Sequence, residues 1–578
     1  MHNSSLLTLA EQSQFRFTGR IDEVERLANS FASRWPDAVR SFEYGNSVEG
    51  RPLRALVVSK SGSLSAAQIK ANKIPLLMLQ GGIHPGESDG KDAGFIALRE
   101  LLSNDAAELK RIAILFVPAF NTDGHERVGK WNRPNQVGPE DTGWRTTAQN
   151  LNLNRDYMKA DAPEMHAMLR LLNEYDPVVC ADMHVTDGAD FEPDVSIQVE
   201  PINQGDPSLF ASGVQLRDML IAKLKATGSL PLPFYPDLYE IDNPASGFLL
   251  TVYSPRFSTG YFPARNRFTV LVETHSWKDY ATRVGVTRNT IVGLVELLSV
   301  HGKSWLESAL RADRVGENAA GKEFALDFAA GWREPTPDSP NARNESEGSV
   351  ETIEFRGYAY TRKPSEISGE LVTTYDPKTP QIWRVPFRKN TAASLVVKAP
   401  ALGYIVPLGY AQDIGAKLAL HGIKNEPWTI SVTKQVDAFR VTQAKFSTAP
   451  FEGRMRATLQ GTWASESREI KQGSLFVPIA QLRARLMMAL LEPQAPDSFA
   501  AWGYFNACFE QKEHLEPYVA EQIAREMIAN DSALADRFKR KLASDNGFAK
   551  NSAARLEFFL RRHASWDEGY NLYPIYRI

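Results

Sequence analysis

Short apolar runs closed by glycine or polar turns alternate along this chain with segments whose apolar residues recur at helical spacing. "RIDEVERLANSFASRWP" has the helical period and stops at Pro36, whereas "PLRALVVSKSG" and "KIPLLMLQGG" are apolar runs of strand length. "GKDAGFIALRELLSN" predicts a helix, "KRIAILFVPAFNTDG" a strand, "PEMHAMLRLLNEYDP" a helix with Pro163 in its first turn, and "VVCADMH" a strand. "RFTVLVETHS" predicts a further strand and "GVTRNTIVGLVELLSVHGKSW" a further helix. Strands with little polar alternation, separated by helices, predict an α/β fold with a mixed, largely parallel, doubly wound sheet flanked by helices.

The pattern changes after about residue 315. "FAAGWREPTPDSPNARNESEGSV" has linker composition, most of all over residues 333–348. Beyond it, "VETIEFRGYAYTR", "PQIWRVPFR", "ASLVVKAPALGYIVP" and "WTISVTKQVDAFRVTQAKF" alternate as antiparallel strands do, and the last hundred or so residues turn helical. The expected organisation is an α/β domain over residues 1–330, a mostly β accessory domain over 331–450, and a mixed, largely helical region over 451–578. "MMALLEP" and "WGYFNACF" are most simply core stripes.

Composition narrows the partners. With 578 residues, 43% of them hydrophobic, the chain can bury several cores. Its 66 basic and 69 acidic residues leave a formal net charge of -3, which offers no global field to nucleic acid or an anionic membrane. Cys180 and Cys508 sit in apolar or aromatic segments far apart and read as two buried thiols, not a disulfide framework. No stretch of about 18 apolar residues predicts a transmembrane helix. "MHNSSLLTLAEQSQFRF" lacks a basic, then apolar, export signal, so the expected compartment is cytoplasmic as the sequence reads, or periplasmic or secreted if a signal segment has been removed.

Ligands of a doubly wound sheet bind outside the carboxyl ends of its strands. His84 and Glu87 follow "IPLLMLQGG", His184 follows "VVCAD", and Glu273 ends "FTVLVE", so three predicted strand ends carry metal-type or acid–base groups. A close histidine–carboxylate pair with one distant histidine would leave a zinc ion an open position for water. Each group has a plainer alternative: a surface histidine for His84, a helix N-terminal carboxylate for Glu87, a structural histidine for His184. Glu273 directly after an apolar run must be paired, ligated or used.

With these residues in view, the chain resembles the zinc metallocarboxypeptidases of the funnelin type over roughly residues 15 to 315. The resemblance runs through "GGIHPGE", "DMH", "FVPAFNTDGHE", "GWRTTAQNLNLNRDY" and "FTVLVETHS" in that order. It implies a zinc ion held by His84, Glu87 and His184, with Glu273 as the base that activates water. It further implies Arg145 as the group that polarises the scissile carbonyl, and Asn154 with Arg155 as the clamp on a substrate's terminal carboxylate. Thr122 replaces the proline of the family's Asn-Pro-Asp-Gly turn at Asn121 to Gly124. Many members carry an aspartate where this chain has Asn152, so Asp182 or Asp156 is the expected carboxylate support for the zinc histidines. For the tyrosine that caps the substrate, Tyr253 and Tyr261 both stand open, the latter in a glycine-bordered turn suited to a mobile loop.

The remaining polar groups take structural roles by default: His125, His166 and His275 as hydrogen-bonded imidazoles, and Lys91 and Asp92 in the first turn of a helix. Arg265 and Arg267 are either paired or line the pocket. The activity implied is hydrolysis of the C-terminal peptide bond of a peptide with a free carboxylate. Two alternatives share the residues: a zinc amidohydrolase or deacylase, or a cell-wall peptide hydrolase, of the same fold. A catalytically silent binding protein is the third class, and it would need neither Glu273 nor Arg145. The later region is expected to shape access without adding catalytic groups, and oligomeric state stays open.

Overall fold

The computed structural model describes residues 4–330, 350–513 and 515–578; the predicted linker at 333–348 lies outside the described residues. The first part of the chain lays down β1 (Val39–Asn46), β2 (Pro52–Val58), β3 (Leu76–Gln80), β4 (Ala113–Val117), β5 (Val179–Val185), β6 (Val195–Glu200), β7 (Pro231–Leu232), β8 (Asp237–Leu238), β9 (Phe248–Leu249) and β10 (Phe268–Thr274). Eight of these strands form a sheet in the order β1-β2-β4-β3-β5-β10-β6-β7. β4, β3, β5 and β10 run parallel, which brings their carboxyl ends to one edge, while β1 and β2 run antiparallel to each other and β2 to β4 on one flank, and β6 runs antiparallel to β10 on the other. This is the mixed, largely parallel α/β sheet that the apolar runs predict.

Successive strand residues point to opposite faces. Leu77 and Leu79 join the core under the helices Ile21–Arg34, Asp89–Ser103, Phe210–Ala226 and Tyr280–Glu317. Leu76 and Met78 face the other way, onto the helix Pro163–Tyr175 and onto residues that come hundreds of positions later: Tyr404, Leu418, Phe439 and Met487. One hydrophobic core therefore contains both the sheet and the C-terminal part of the chain.

That C-terminal part begins with β11 (Glu323–Ala330) and continues through the hairpin β12 (Val350–Pro364) and β13 (Leu371–Arg388), then β14 (Thr391–Lys398) and β15 (Gly403–Val406). β16 (Glu426–Pro427), β17 (Val432–Phe446), β18 (Ala457–Ile470), β19 (Leu475–Pro478) and β20 (Tyr576–Arg577) complete it. A six-stranded sheet has the order β16-β19-β15-β20-β17-β18, and the β17–β18 pairing runs across residue 450. The β12–β13 hairpin is extended by β9 and β8 from the first part of the chain. "MMALLEP" packs as the buried helix Ala484–Leu491. The last helices, Pro517–Asn530, Ser532–Ser544 and Ser552–Leu560, close a small core of their own around Leu534, Phe548 and Phe559. No helix among the described residues is long and apolar enough to cross a membrane.

Candidate active site

The site lies at the carboxyl ends of β3, β5 and β10. His84 and Glu87 occupy the buried loop between β3 and the helix Asp89–Ser103. Gly86 is forced there by packing, because an added Cβ would meet Arg133 Cγ at 2.4 Å. His184 is the penultimate residue of β5, and the parallel register sets Glu273 of β10 directly beside it. One ligand-type atom each from His84, Glu87 and His184 lies within 4.8 Å of the others, all three side chains being buried.

The imidazole orientations follow from their outer partners. His84 Nε2 is 3.1 Å from the Asn152 side-chain oxygen, which accepts its proton and turns Nδ1 toward Glu87, 3.1 Å away. His184 Nε2 is 3.0 Å from Asp182, and its Nδ1 is 2.9 Å from Glu87 Oε2. Asp182 is fixed in turn by Gln80 at 2.7 Å and by the Ser258 hydroxyl. Support for the histidines thus comes from Asp182 on one and the Asn152 amide itself on the other. Asp156 instead binds Lys159 and the backbone amides of Asp161 and Ala162.

Burial alone would lower the His184 pKa, but Asp182 and Glu87 outweigh it and hold the imidazolium well above its ordinary range. Burial dominates at His84 and brings it down to about 4. Glu87, although burial opposes ionisation, is held well below the carboxylate range by His84, Arg133 and His184. His84 Nδ1 is also a buried nitrogen without a hydrogen-bond partner. Two imidazoles and a carboxylate converging in a buried cluster, with His84 Nδ1 unpaired, form a donor set that suits a divalent zinc ion.

Glu273 is half-buried, yet its Oε2 is sealed from solvent without a partner. Burial pushes this carboxyl up to about 8; His184 opposes that, while Glu87 and Asp187 add to it. Arg145 lies 3.6 Å from Glu87 with its side chain 38% exposed, so it reaches from the rim toward the His84–Glu87–His184 cluster. Its place is set by the turn after β4: Asn121 caps the short helix Thr122–Glu126 by accepting from Gly124 N at 3.0 Å. A Cβ on Gly124 would stand 2.6 Å from the Trp144 carbonyl and 2.7 Å from that of Thr146, so glycine lets the segment carrying Arg145 pass.

Asn154 and Arg155 follow Asn152 in a single 3-10 turn. The Asn154 side-chain oxygen is buried without a partner, and Arg155 lies over the Phe257 ring at 4.1 Å. Tyr253 is in the loop before the helix Ser258–Ala264, its ring 5.0 Å from Phe257 and its hydroxyl donating to Asp237 at 3.1 Å. Tyr261 is not in a mobile loop: it is inside that helix, fully buried, and its hydroxyl is 2.9 Å from His421 Nδ1. Of the two tyrosines, Tyr253 is the one that packs on Phe257, the ring that Arg155 covers.

Other expectations resolve as structural contacts. Arg267 is buried against Asp313 at 2.8 Å and against Asp176, and Arg265 donates to the Leu172 carbonyl at 3.2 Å, so neither lines the pocket. Lys91, in the first turn of its helix, pairs with Glu23 at 2.9 Å and with Asp92. His125 and His166 contact backbone carbonyls, and His275 stacks on Phe191 at 4.0 Å. Both cysteines are free, and Cys508, expected buried, is only half so, 3.0 Å from the Tyr410 hydroxyl.

Two residues beside the cluster were not signalled by the sequence. Arg133 pairs with Glu87 at 2.9 Å and donates to the Val185 carbonyl at 3.2 Å, but a single arginine in "KWNRPNQVG" has neither period nor motif. Tyr235 is close enough for the Glu273 charge to add to the burial that raises its hydroxyl pKa well above the ordinary range. The order of motifs finds neither.

Residues 24–282 match the family model described as Zinc carboxypeptidase. Carboxypeptidase 2 of Trichophyton equinum is 25% identical over 482 residues, covering 79% of this chain and 78% of that protein. Carboxypeptidase 2 of Trichophyton rubrum matches with the same identity and coverage. Among solved structures, carboxypeptidase A from Helicoverpa armigera aligns with a TM-score of 0.35 at 17% identity, over 50% of this chain and 74% of that one. Residues 24–282, which hold the whole of the cluster, are thus the part of the chain that is similar to the zinc carboxypeptidases.

Proposed function

We propose that this protein is a zinc-dependent carboxypeptidase that removes the C-terminal residue of peptides with a free carboxylate. The observation that carries this reading is the convergence of His84, Glu87 and His184 within 4.8 Å, with Glu273 next to His184 across the β5–β10 register. These three residues would hold the metal, which when bound supplies Lewis-acid polarisation of the peptide carbonyl and acidifies water.

The chain's own groups supply the rest. Glu273, set beside His184 by the β5–β10 register, takes the proton of the attacking water and delivers it to the leaving amine. Arg145 turns a guanidinium toward the oxyanion that develops on the scissile carbonyl. Arg155 and Asn154 grip the terminal carboxylate, for which a planar guanidinium is a bidentate partner, and this fixes which bond lies over Glu273. Tyr253 packs on Phe257, the ring that Arg155 covers, and is the tyrosine placed to cap the same clamp.

Measuring zinc content and turnover of a blocked peptide with a free carboxylate tests this reading. One zinc per chain is expected, lost together with activity on chelation and regained with zinc. Turnover that survives complete removal of the metal would overturn it, and preferential cleavage of small N-acyl amino acids would favour a deacylase.

A further inference from the structure

The turn between β17 and β18 ends against the candidate substrate site. Phe451 and Arg454 exchange backbone hydrogen bonds of 2.9 and 3.0 Å around Glu452, at φ +50°, and Gly453, at φ +77°. Positive φ at both central positions is the type I′ arrangement, where asparagine or glycine is the low-cost first residue. A glutamate is held there against its own backbone preference, a kind of outlier that points to function when its side chain has a task.

The side chain does have one. Glu452 Oε2 accepts from the backbone amide of Asn152 at 2.8 Å, across 300 residues of sequence. Asn152 in turn takes the Asn154 amide on its side-chain oxygen at 2.9 Å and supports His84 at 3.1 Å. Two positions along the hairpin, Arg454 forks Asp161 at 2.9 and 2.8 Å. Asp161 also accepts from the Tyr504 hydroxyl at 2.9 Å and from Lys417 at 3.2 Å. The hairpin tip is thus anchored at Asn152 and at Asp161, and these two anchors bracket Asn154 and Arg155. Burial and the charges of Arg145 and Arg256 draw the Arg155 guanidinium down to about 10, and Glu452 is the first acidic group that opposes them.

We propose that Glu452 is a positioning residue for the terminal-carboxylate clamp, delivered into the site by the C-terminal region to fix the backbone of residues 152–155. The proposal rests on the carboxypeptidase reading above. It makes the C-terminal region a working part of substrate recognition and not only a wall around the cleft.

The test uses the full-length, zinc-loaded chain carrying Glu452→Gly or Glu452→Gln. Glycine removes the carboxylate and also relieves the backbone at that φ. A residue that served the turn alone would give an unchanged or raised Tm with unaltered kinetics. Positioning predicts a split: Tm unchanged or raised, zinc retained, kcat within about threefold, and KM for a free-carboxylate peptide raised by about tenfold or more, as loss of a charge-assisted hydrogen bond implies. Glutamine keeps an acceptor for the Asn152 amide and should return KM to within about threefold of wild type, on the same scale. Hydrogen exchange over residues 150–156 should quicken in the glycine variant and not in the glutamine one. Unchanged KM and unchanged exchange in Glu452→Gly would overturn the proposal. If the wild type itself treats free and amidated peptides alike, the carboxypeptidase reading has failed, and the exchange measurement still decides whether Glu452 holds the segment.

Discussion

The two halves of the candidate site are held by different means. His84, Glu87, His184 and Glu273 sit on or directly after strands of one sheet; Asp182, Gln80 and Ser258 support His184 from the same fold, and only His84 takes its partner, Asn152, from the loop half. Asn154 and Arg155 sit on a segment without regular strand or long helix, and it is gripped by Glu452, Arg454, Lys417 and Tyr504 from the C-terminal region. Chemistry placed on a rigid sheet needs little outside help, whereas recognition placed on a loop must have its backbone hydrogen bonds satisfied from elsewhere. The second part of the chain, which shares the main core with the sheet, is what satisfies that loop.

Removing that second part should have the largest effect. In a chain cut after residue 332, the face of the sheet carrying Leu76 and Met78 loses Tyr404, Phe439 and Met487. The expected outcome is loss of a cooperative unfolding transition by calorimetry, because this much exposed apolar surface cannot be offset in a marginally stable fold. A fragment that melts cooperatively, binds zinc and turns over peptide at the full-length rate would show that the clamp needs no outside grip.

Next in size is Glu273→Gln, which acts only on the sheet half. It should keep the metal and the fold while kcat falls by ~10²-fold or more, as loss of a general base does. Zinc content with steady-state kinetics checks this, and near-native turnover would remove Glu273 from its role. Arg155→Ala acts on the other half: KM for a free-carboxylate peptide should rise by roughly 10- to 100-fold, as loss of a charged hydrogen bond implies. Its zinc content should stay unchanged, and an equal loss of zinc would mean that the two halves are not separable.

The smallest effect is one of pH. Burial would raise the Asp161 pKa, but Arg454, Lys159 and Lys417 hold the carboxyl far below its ordinary value. A depressed folded pKa contributes stability that is present above the unfolded value of about 4 and is lost as pH falls through the folded one. Wild type should therefore lose more Tm between pH 5 and pH 3 than Asp161→Asn does. Parallel curves for the two would show that this grip adds no acid-sensitive stability.

The same contrast governs what could be read from the sequence. Apolar runs ending in polar groups mark strand ends, so the sheet half was legible from "IPLLMLQGG", "VVCADMH" and "FTVLVE". β6 escapes the apolar-run criterion because Ser196, Gln198 and Glu200 alternate with Val195, Ile197 and Val199, although the whole strand is buried. Tyr261 was ambiguous because Gly260 and Pro263 are turn punctuation in most settings, yet here they lie within the buried helix Ser258–Ala264. The Glu452–Asn152 contact leaves no local trace, since a hydrogen bond across 300 residues depends on two chain segments meeting only in the folded state.

Cleavage of a matched pair of blocked peptides, identical but for a free or an amidated C-terminus, by the zinc-loaded full-length chain tests the account most directly. The expected result is release of the last residue from the free acid and little turnover of the amide, with discrimination of roughly tenfold or more from the charged contacts to Arg155. Equal cleavage of both peptides, or release of internal fragments, would contradict it.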